Sequence, residues 1–149
     1  IVLKRFILTH KPKLFSIAEP KINFSSKYLH LCSFSYNFLG ACKNGTSTET
    51  LWIFYHSSLQ SVNVVKSSNQ MFTCAFSFVG VYMVCTMIYA KNRYQDCRPL
   101  WNDLLSLSSS TQDPWLVIGD FNVILLPSEK IGPSHSPIST REFKASIED

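Results

Sequence analysis

Residues 71–90 form a twenty-residue stretch without a charge, long enough to cross a bilayer as a helix, and their order decides against that fold. Phe72, Cys74, Phe76 and Phe78 alternate with Thr73, Ala75, Ser77 and Val79, and after Gly80 a β-branched and aromatic run resumes through Tyr89. Alternation with period two, interrupted by a glycine, predicts a two-strand hairpin buried on most faces. A spanning helix of this length usually carries more leucine and a basic flank on one side. The hairpin therefore belongs in a sheet, and no membrane partner is expected.

The rest of the chain supplies strands and helices to surround it. Leu3, Phe6 and Ile7 at helical spacing, with a stop at Lys11-Pro12, predict a short helix over residues 1–8, followed by a strand at 14–18 that ends in Glu19-Pro20. Residues 25–47 are polar with aromatic islands, and irregular strands and loops are expected there. Residues 51–55 and 61–65 are two further short strands, expected to join the hairpin in a mainly antiparallel meander. Leu100, Trp101, Leu104, Leu105 and Leu107 mark a helix over 93–107, closed by Ser108-Ser109-Ser110. Asp113-Pro114 then turns the chain into the apolar strand Trp115-Leu116-Val117-Ile118, short enough to be central in a sheet. A Pro/Ser/Gly loop over 127–139 precedes a last helix opening at Ser139 or Thr140, with Glu142 at capping-box spacing from Ser139. The order of elements is that of an α/β fold, and 149 residues suffice for one domain over 1–149.

Composition narrows the chemistry. Five cysteines with no C-x-x-C pair, and four scattered histidines, spell out neither a disulfide framework nor a soft-metal site, so a reducing compartment is expected, and any metal should be a hard, oxygen-bound one. A net charge of +4 leans towards a polyanionic partner. Lys4, Arg5, Lys11 and Lys13 form the densest basic cluster and read as a solvated face. Residues 1–8 lack the build of an export signal.

The sharpest motif is Gly119-Asp120-Phe121-Asn122 at the end of the apolar strand, where open α/β sheets place ligands. Asp and Asn two apart on an extended segment point to one side: one can aim a water while the other donates to a phosphate oxygen. On local grounds the same residues are ordinary turn-formers. The longer segment Pro114-Trp115-Leu116-Val117-Ile118-Gly119-Asp120-Phe121-Asn122 closely resembles the signature strand of the endonuclease/exonuclease/phosphatase superfamily. Leu14-Phe15-Ser16-Ile17-Ala18-Glu19-Pro20 resembles its strand ending in a metal-binding glutamate, and Met87-Ile88-Tyr89-Ala90-Lys91-Asn92 its Tyr-x-x-Asn strand end, in the same order. Arg98-Pro99-Leu100-Trp101 and Ser128-Glu129-Lys130 are similar to the plant LINE-type retrotransposon branch.

This resemblance implies part of a four-layer α/β-sandwich with a Mg²⁺-dependent DNA endonuclease site. Glu19 would hold Mg²⁺, Asp120 would orient or deprotonate the attacking water, Asn122 would help hold the phosphate, and Tyr89 and Asn92 would contact phosphate oxygens, with Lys91 and Arg93 beside them. A nuclear location would follow. The resemblance also implies an Asn-bearing strand before residue 1 and an Asp-His pair after residue 149, so a partial domain, inactive by itself, is expected. Lys91 stands where a proline is common, and His135 falls too early to be the histidine of that pair. A non-catalytic remnant that binds nucleic acid weakly, and a phosphatase of the same superfamily, are the alternatives.

Overall fold

The computed structural model describes all residues except 1, 32–34, 44, 46, 47, 130, 132–135 and 149, so the readings made for Cys32, Lys130 and His135 lie outside the described residues. The element order is α1 (Val2–His10), β1 (Leu14–Ala18), a 3₁₀ helix (Ser26–Leu31), β2 (Tyr36–Lys43), β3 (Glu49–His56), β4 (Gln60–Ser67), β5 (Met71–Phe78), β6 (Val81–Tyr89), α2 (Tyr94–Ser110), β7 (Trp115–Asp120), a 3₁₀ turn (Pro127–Glu129) and α3 (Pro137–Glu148). The uncharged stretch is the β5–β6 hairpin, paired from Met71 opposite Ile88 to Phe78 opposite Val81. Its two-residue turn has φ 50° at Val79 and 78° at Gly80. Positive φ at both turn positions matches the strand twist, but it strains a β-branched residue such as Val79. Among the described residues no helix is long and apolar enough to cross a membrane.

Two sheets stack, one in the order β1-β3-β2 and the other β4-β5-β6-β7. Between them lie Cys42, Leu51 and Ile53 from the first sheet and Phe72, Cys74, Phe76, Cys85 and Met87 from the second. The outer face of the first sheet packs Trp52 and Phe54 against Ile7 of α1 and Tyr28 of the 3₁₀ helix. The outer face of the second packs Met71 and Ile88 against Leu100, Trp101 and Leu104 of α2 and Phe143 of α3. Helix, sheet, sheet, helix makes four layers, and the absence of charge from β5 is explained because both its faces are covered.

Several local expectations change. The segment over 25–47 contains a regular eight-residue strand, β2, whose irregularity is confined to shifts at Phe38/Gly40 and Cys42/Lys43. The meander is β4-β5-β6 only, because β3 pairs with β1 and β2 in the other sheet. β7 lies parallel to β6 at the end of the order β4-β5-β6-β7 rather than in its centre. Leu116 and Ile118 on it remain 52% and 54% exposed. α3 begins at Pro137, not Ser139. Ser136 Oγ accepts the Ser139 N–H at 3.3 Å with Pro137 in the first helical position, and Glu142 is engaged by Arg98 instead of a capping box.

Candidate active site

β1 ends in an abrupt reversal, with φ 51° at Glu19 and 60° at Lys21 on either side of Pro20. The Glu19 N–H is anchored on the Thr50 carbonyl at 2.9 Å. The turn brings Lys21 Nζ to 2.5 Å from Glu19 Oε2. The other carboxylate oxygen, Oε1, accepts the hydroxyl of Tyr89, the last residue of β6, so the contact bridges the ends of the two sheets. The Lys21 and Tyr89 hydrogen bonds hold the Glu19 carboxyl below its usual range. The same bond to Glu19, followed by burial and the charges of Glu19 and Asp120, pushes the Tyr89 phenol up to about 12. Tyr89 is therefore a neutral hydrogen-bond donor at ordinary pH.

Tyr89 and Asp120 are partners in the parallel β6–β7 register. Paired positions point to one face of a sheet, so Tyr89 and Asp120 face the same side. The Ala90 N–H donates to the Asp120 carbonyl at 2.8 Å. Asp120 Oδ1 accepts the Asn122 N–H at 2.9 Å, and the Asn122 side-chain amide donates to the Ala90 carbonyl at 2.6 Å. Asn122 sits at φ 49°, which its short polar side chain tolerates. Asn122 thus clasps the ends of β6 and β7 together, a structural task the sequence reading did not give it, and one amide hydrogen and its carbonyl oxygen are left over. Gly119 is forced by its surroundings: φ is 146°, and a Cβ there would lie 2.0 Å from the Ile88 carbonyl oxygen.

Asn92, Arg93, Asp120 and Asn122 line a cavity of about 580 Å³ together with Tyr94 of α2 and Ser139 and Thr140 of α3. A smaller cavity of about 360 Å³ is lined by Tyr89, Lys91, Asn92 and Arg93. α2 opens at Arg93 without a side-chain cap, so its first amides are unclaimed by side chains on this wall. Thr140 Oγ1 is buried there with no hydrogen-bond partner among the described residues. All the residues singled out from the sequence therefore meet at one end of the sandwich, Glu19 joining through Tyr89. Two participants escaped that reading. Lys21 pairs with Glu19, and the side chain of Gln70, 2% exposed, bonds to the Lys91 N–H and the Asp96 carbonyl. The glutamine stands in a polar stretch with no periodicity to mark it.

A divalent cation can be tested against this donor set. Glu19 offers an exposed carboxylate that already attracts a cation, with the Lys21 ammonium on one oxygen and the Tyr89 hydroxyl on the other. Cys42, Cys74, Cys85 and Cys97 are free and buried, and burial pushes each thiol up. Among the described residues no group of three His, Cys, Asp or Glu is gathered. The arrangement fits a hard, mostly hydrated ion held through one carboxylate, the manner in which Mg²⁺ binds, and does not fit a soft metal.

No protein-family model matches the sequence, and no curated protein does. Solved structures do. A humanized D. rerio TDP2 superposes at TM-score 0.61 with 15% identity, covering 83% of this chain and 54% of its own length. The endonuclease domain of TRAS1, a telomere-specific non-LTR retrotransposon, gives 0.69 at 12% identity over 98% of this chain and 63% of that one. An endonuclease/exonuclease/phosphatase family protein from Leptotrichia buccalis gives 0.61 at 10% identity, with 97% and 64% covered. The fold is the endonuclease/exonuclease/phosphatase α/β sandwich. The chain covers part of that sandwich, spanning about half to two thirds of the length of these proteins. At such identities the endonuclease/exonuclease/phosphatase likeness is one of fold.

Proposed function

We propose that the cluster at the end of the sandwich is part of a Mg²⁺-dependent phosphodiester hydrolase site that takes DNA, of the kind carried by plant LINE-type retrotransposons. The observation that carries this reading is the joining of Glu19, Tyr89 and Asp120 at adjoining strand ends beside a cavity whose walls offer donors to an anion. Glu19 would hold the ion, which when bound supplies positive charge against the charge that builds on phosphorus. Tyr89, a neutral donor, would be able to donate to a phosphate oxygen when Glu19 holds the ion. Asp120 is an exposed carboxylate held in place by the Asn122 N–H, placed to aim a water. Arg93, Asn92 and the open start of α2 hold flanking phosphates electrostatically. Of the solved structures of similar fold, one is D. rerio TDP2 complexed with single strand DNA product, and another is a retrotransposon endonuclease domain; both favour DNA over a small phosphorylated substrate.

The Asn strand and the Asp-His pair that the sequence resemblance adds to such a site have no counterpart within these 149 residues. Loss of one member of a coupled catalytic set costs on the order of 10⁴ to 10⁶ in rate. A polypeptide of these residues alone is therefore expected to bind single-stranded DNA in a salt-dependent manner, and to leave supercoiled plasmid uncut in Mg²⁺. Absence of any DNA binding at low salt would count against the nucleic-acid reading. Robust nicking abolished by Asp120→Ala would show instead that these residues form a working site by themselves.

A further inference from the structure

Gln70 stands just before β5, remote in sequence from every residue discussed as a ligand contact, and its side chain is 2% exposed. Its two oxygens reach the end of β6 and the loop that leaves it, its side-chain nitrogen reaches the first turn of α2, and its own N–H donates to Ser68 Oγ at 3.3 Å. Its backbone carbonyl accepts the Tyr89 N–H at 2.8 Å, its side-chain Oε1 accepts the Lys91 N–H at 2.8 Å, and its Nε2 donates to the Asp96 carbonyl at 2.8 Å. Lys91 and Arg93 carbonyls are held in turn by the Cys97 thiol, at 3.0 and 3.4 Å. Residues 89–94 contain no proline that would fix the path of this loop by itself.

We infer that Gln70 is the positioning residue for the phosphate-contacting loop from Tyr89 to Arg93, setting the path of its backbone through a buried amide. The inference rests on the DNA-binding reading above and deepens it. A primary amide is the side chain suited to the task, because one end must accept from an N–H while the other donates to a carbonyl. Removing it leaves the partly buried Lys91 N–H without its acceptor and frees the loop, so Lys91, Asn92 and Arg93 lose their common orientation.

The test compares the 149-residue chain with Gln70→Met, close in volume but without either bond. A short fluorescent single-stranded oligonucleotide reports binding, and amide hydrogen exchange reports the loop. The variant is expected to bind about tenfold more weakly, and the slope of log affinity against log salt should fall by about 0.7 for each phosphate that the loop no longer engages. A variant that merely lowers the folded fraction keeps the slope of the parent. Lys91 should lose exchange protection while Phe76 in the middle of β5 keeps it. Unchanged affinity and slope in a parent that binds DNA would overturn the inference. If the parent binds no DNA, the functional reading fails by itself, and exchange at Lys91 decides about Gln70: protection as strong in Gln70→Met as in the parent overturns it, and its selective loss upholds it. Should Gln70→Met not fold, Gln70→Glu serves, because its carboxylate still accepts from Lys91 but repels the Asp96 carbonyl. Protection kept at Lys91 and lost at Leu100, the helical partner of the Asp96 carbonyl, supports the assignment; protection unchanged in both overturns it.

Discussion

Gly119→Ala is expected to destabilise the fold by at least about 3 kcal/mol, because the backbone there lies in a region costly for any L side chain and the new methyl group meets main chain. The φ of 146° is imposed where β7 runs beside β6, and the added Cβ would sit 2.0 Å from the Ile88 carbonyl oxygen and 2.7 Å from its nitrogen. Neither atom is the end of a flexible side chain, so relief requires β6 and β7 to part. Those strand ends carry Tyr89 and Asp120, and the site should be lost with the stability. Urea unfolding measures the effect; a loss below about 1 kcal/mol would mean that the strands adjust freely.

Phe143→Ala should be comparably damaging, costing about 3–5 kcal/mol by the usual range for emptying a buried aromatic site. Phe143 is 6% exposed and its ring lies 5.1 Å from that of Trp101 and 5.0 Å from that of Phe121. Phe121 is the residue between Asp120 and Asn122, so the motif is anchored from behind by α2 and α3. A further tie between the helices is the exposed fork from Arg98 to Glu142, at 3.2 and 2.7 Å. Arg98 holds the Glu142 carboxyl below its usual range, so this tie is present at neutral pH and lost as acid protonates Glu142. Exchange in α3 should accelerate in Phe143→Ala well before that in β5. Equal stability of variant and parent would show that α3 is not held by this ring.

Much of this arrangement was legible in the sequence, for identifiable reasons. Alternation marked β5 and β6, and helical spacing of Leu100, Trp101, Leu104 and Leu107 marked α2, because burial on defined faces leaves a periodic trace. Gly119-Asp120-Phe121-Asn122 was legible because its chemistry and its backbone demands coincide: a glycine no other residue can replace, a phenylalanine in the helical layer, and two polar residues at the strand end. Partnership between strands was not legible. Nothing local in 49–56 shows that β3 pairs with β1 and β2 rather than with the hairpin, since that choice is made by packing across the sandwich. Lys21 and Gln70 were hidden for a related reason. Their partners lie two residues away through an unusual turn in one case, and 21 and 26 residues away in the other. The start of α3 was legible in Ser136-Pro137, and the competing Ser139–Glu142 spacing misplaced it.

The central claim is that Glu19, Tyr89 and Asp120 form one cation-dependent site at a single end of the fold. Paramagnetic broadening by Mn²⁺, added in place of Mg²⁺ to the isotopically labelled 149-residue chain, tests it most directly. Broadening should centre on the amides of Glu19, Lys21, Tyr89, Ala90 and Asp120, and Glu19→Gln should abolish it while leaving the spectrum of a folded protein. Broadening centred on another part of the surface, or persisting unchanged in Glu19→Gln, would contradict the account.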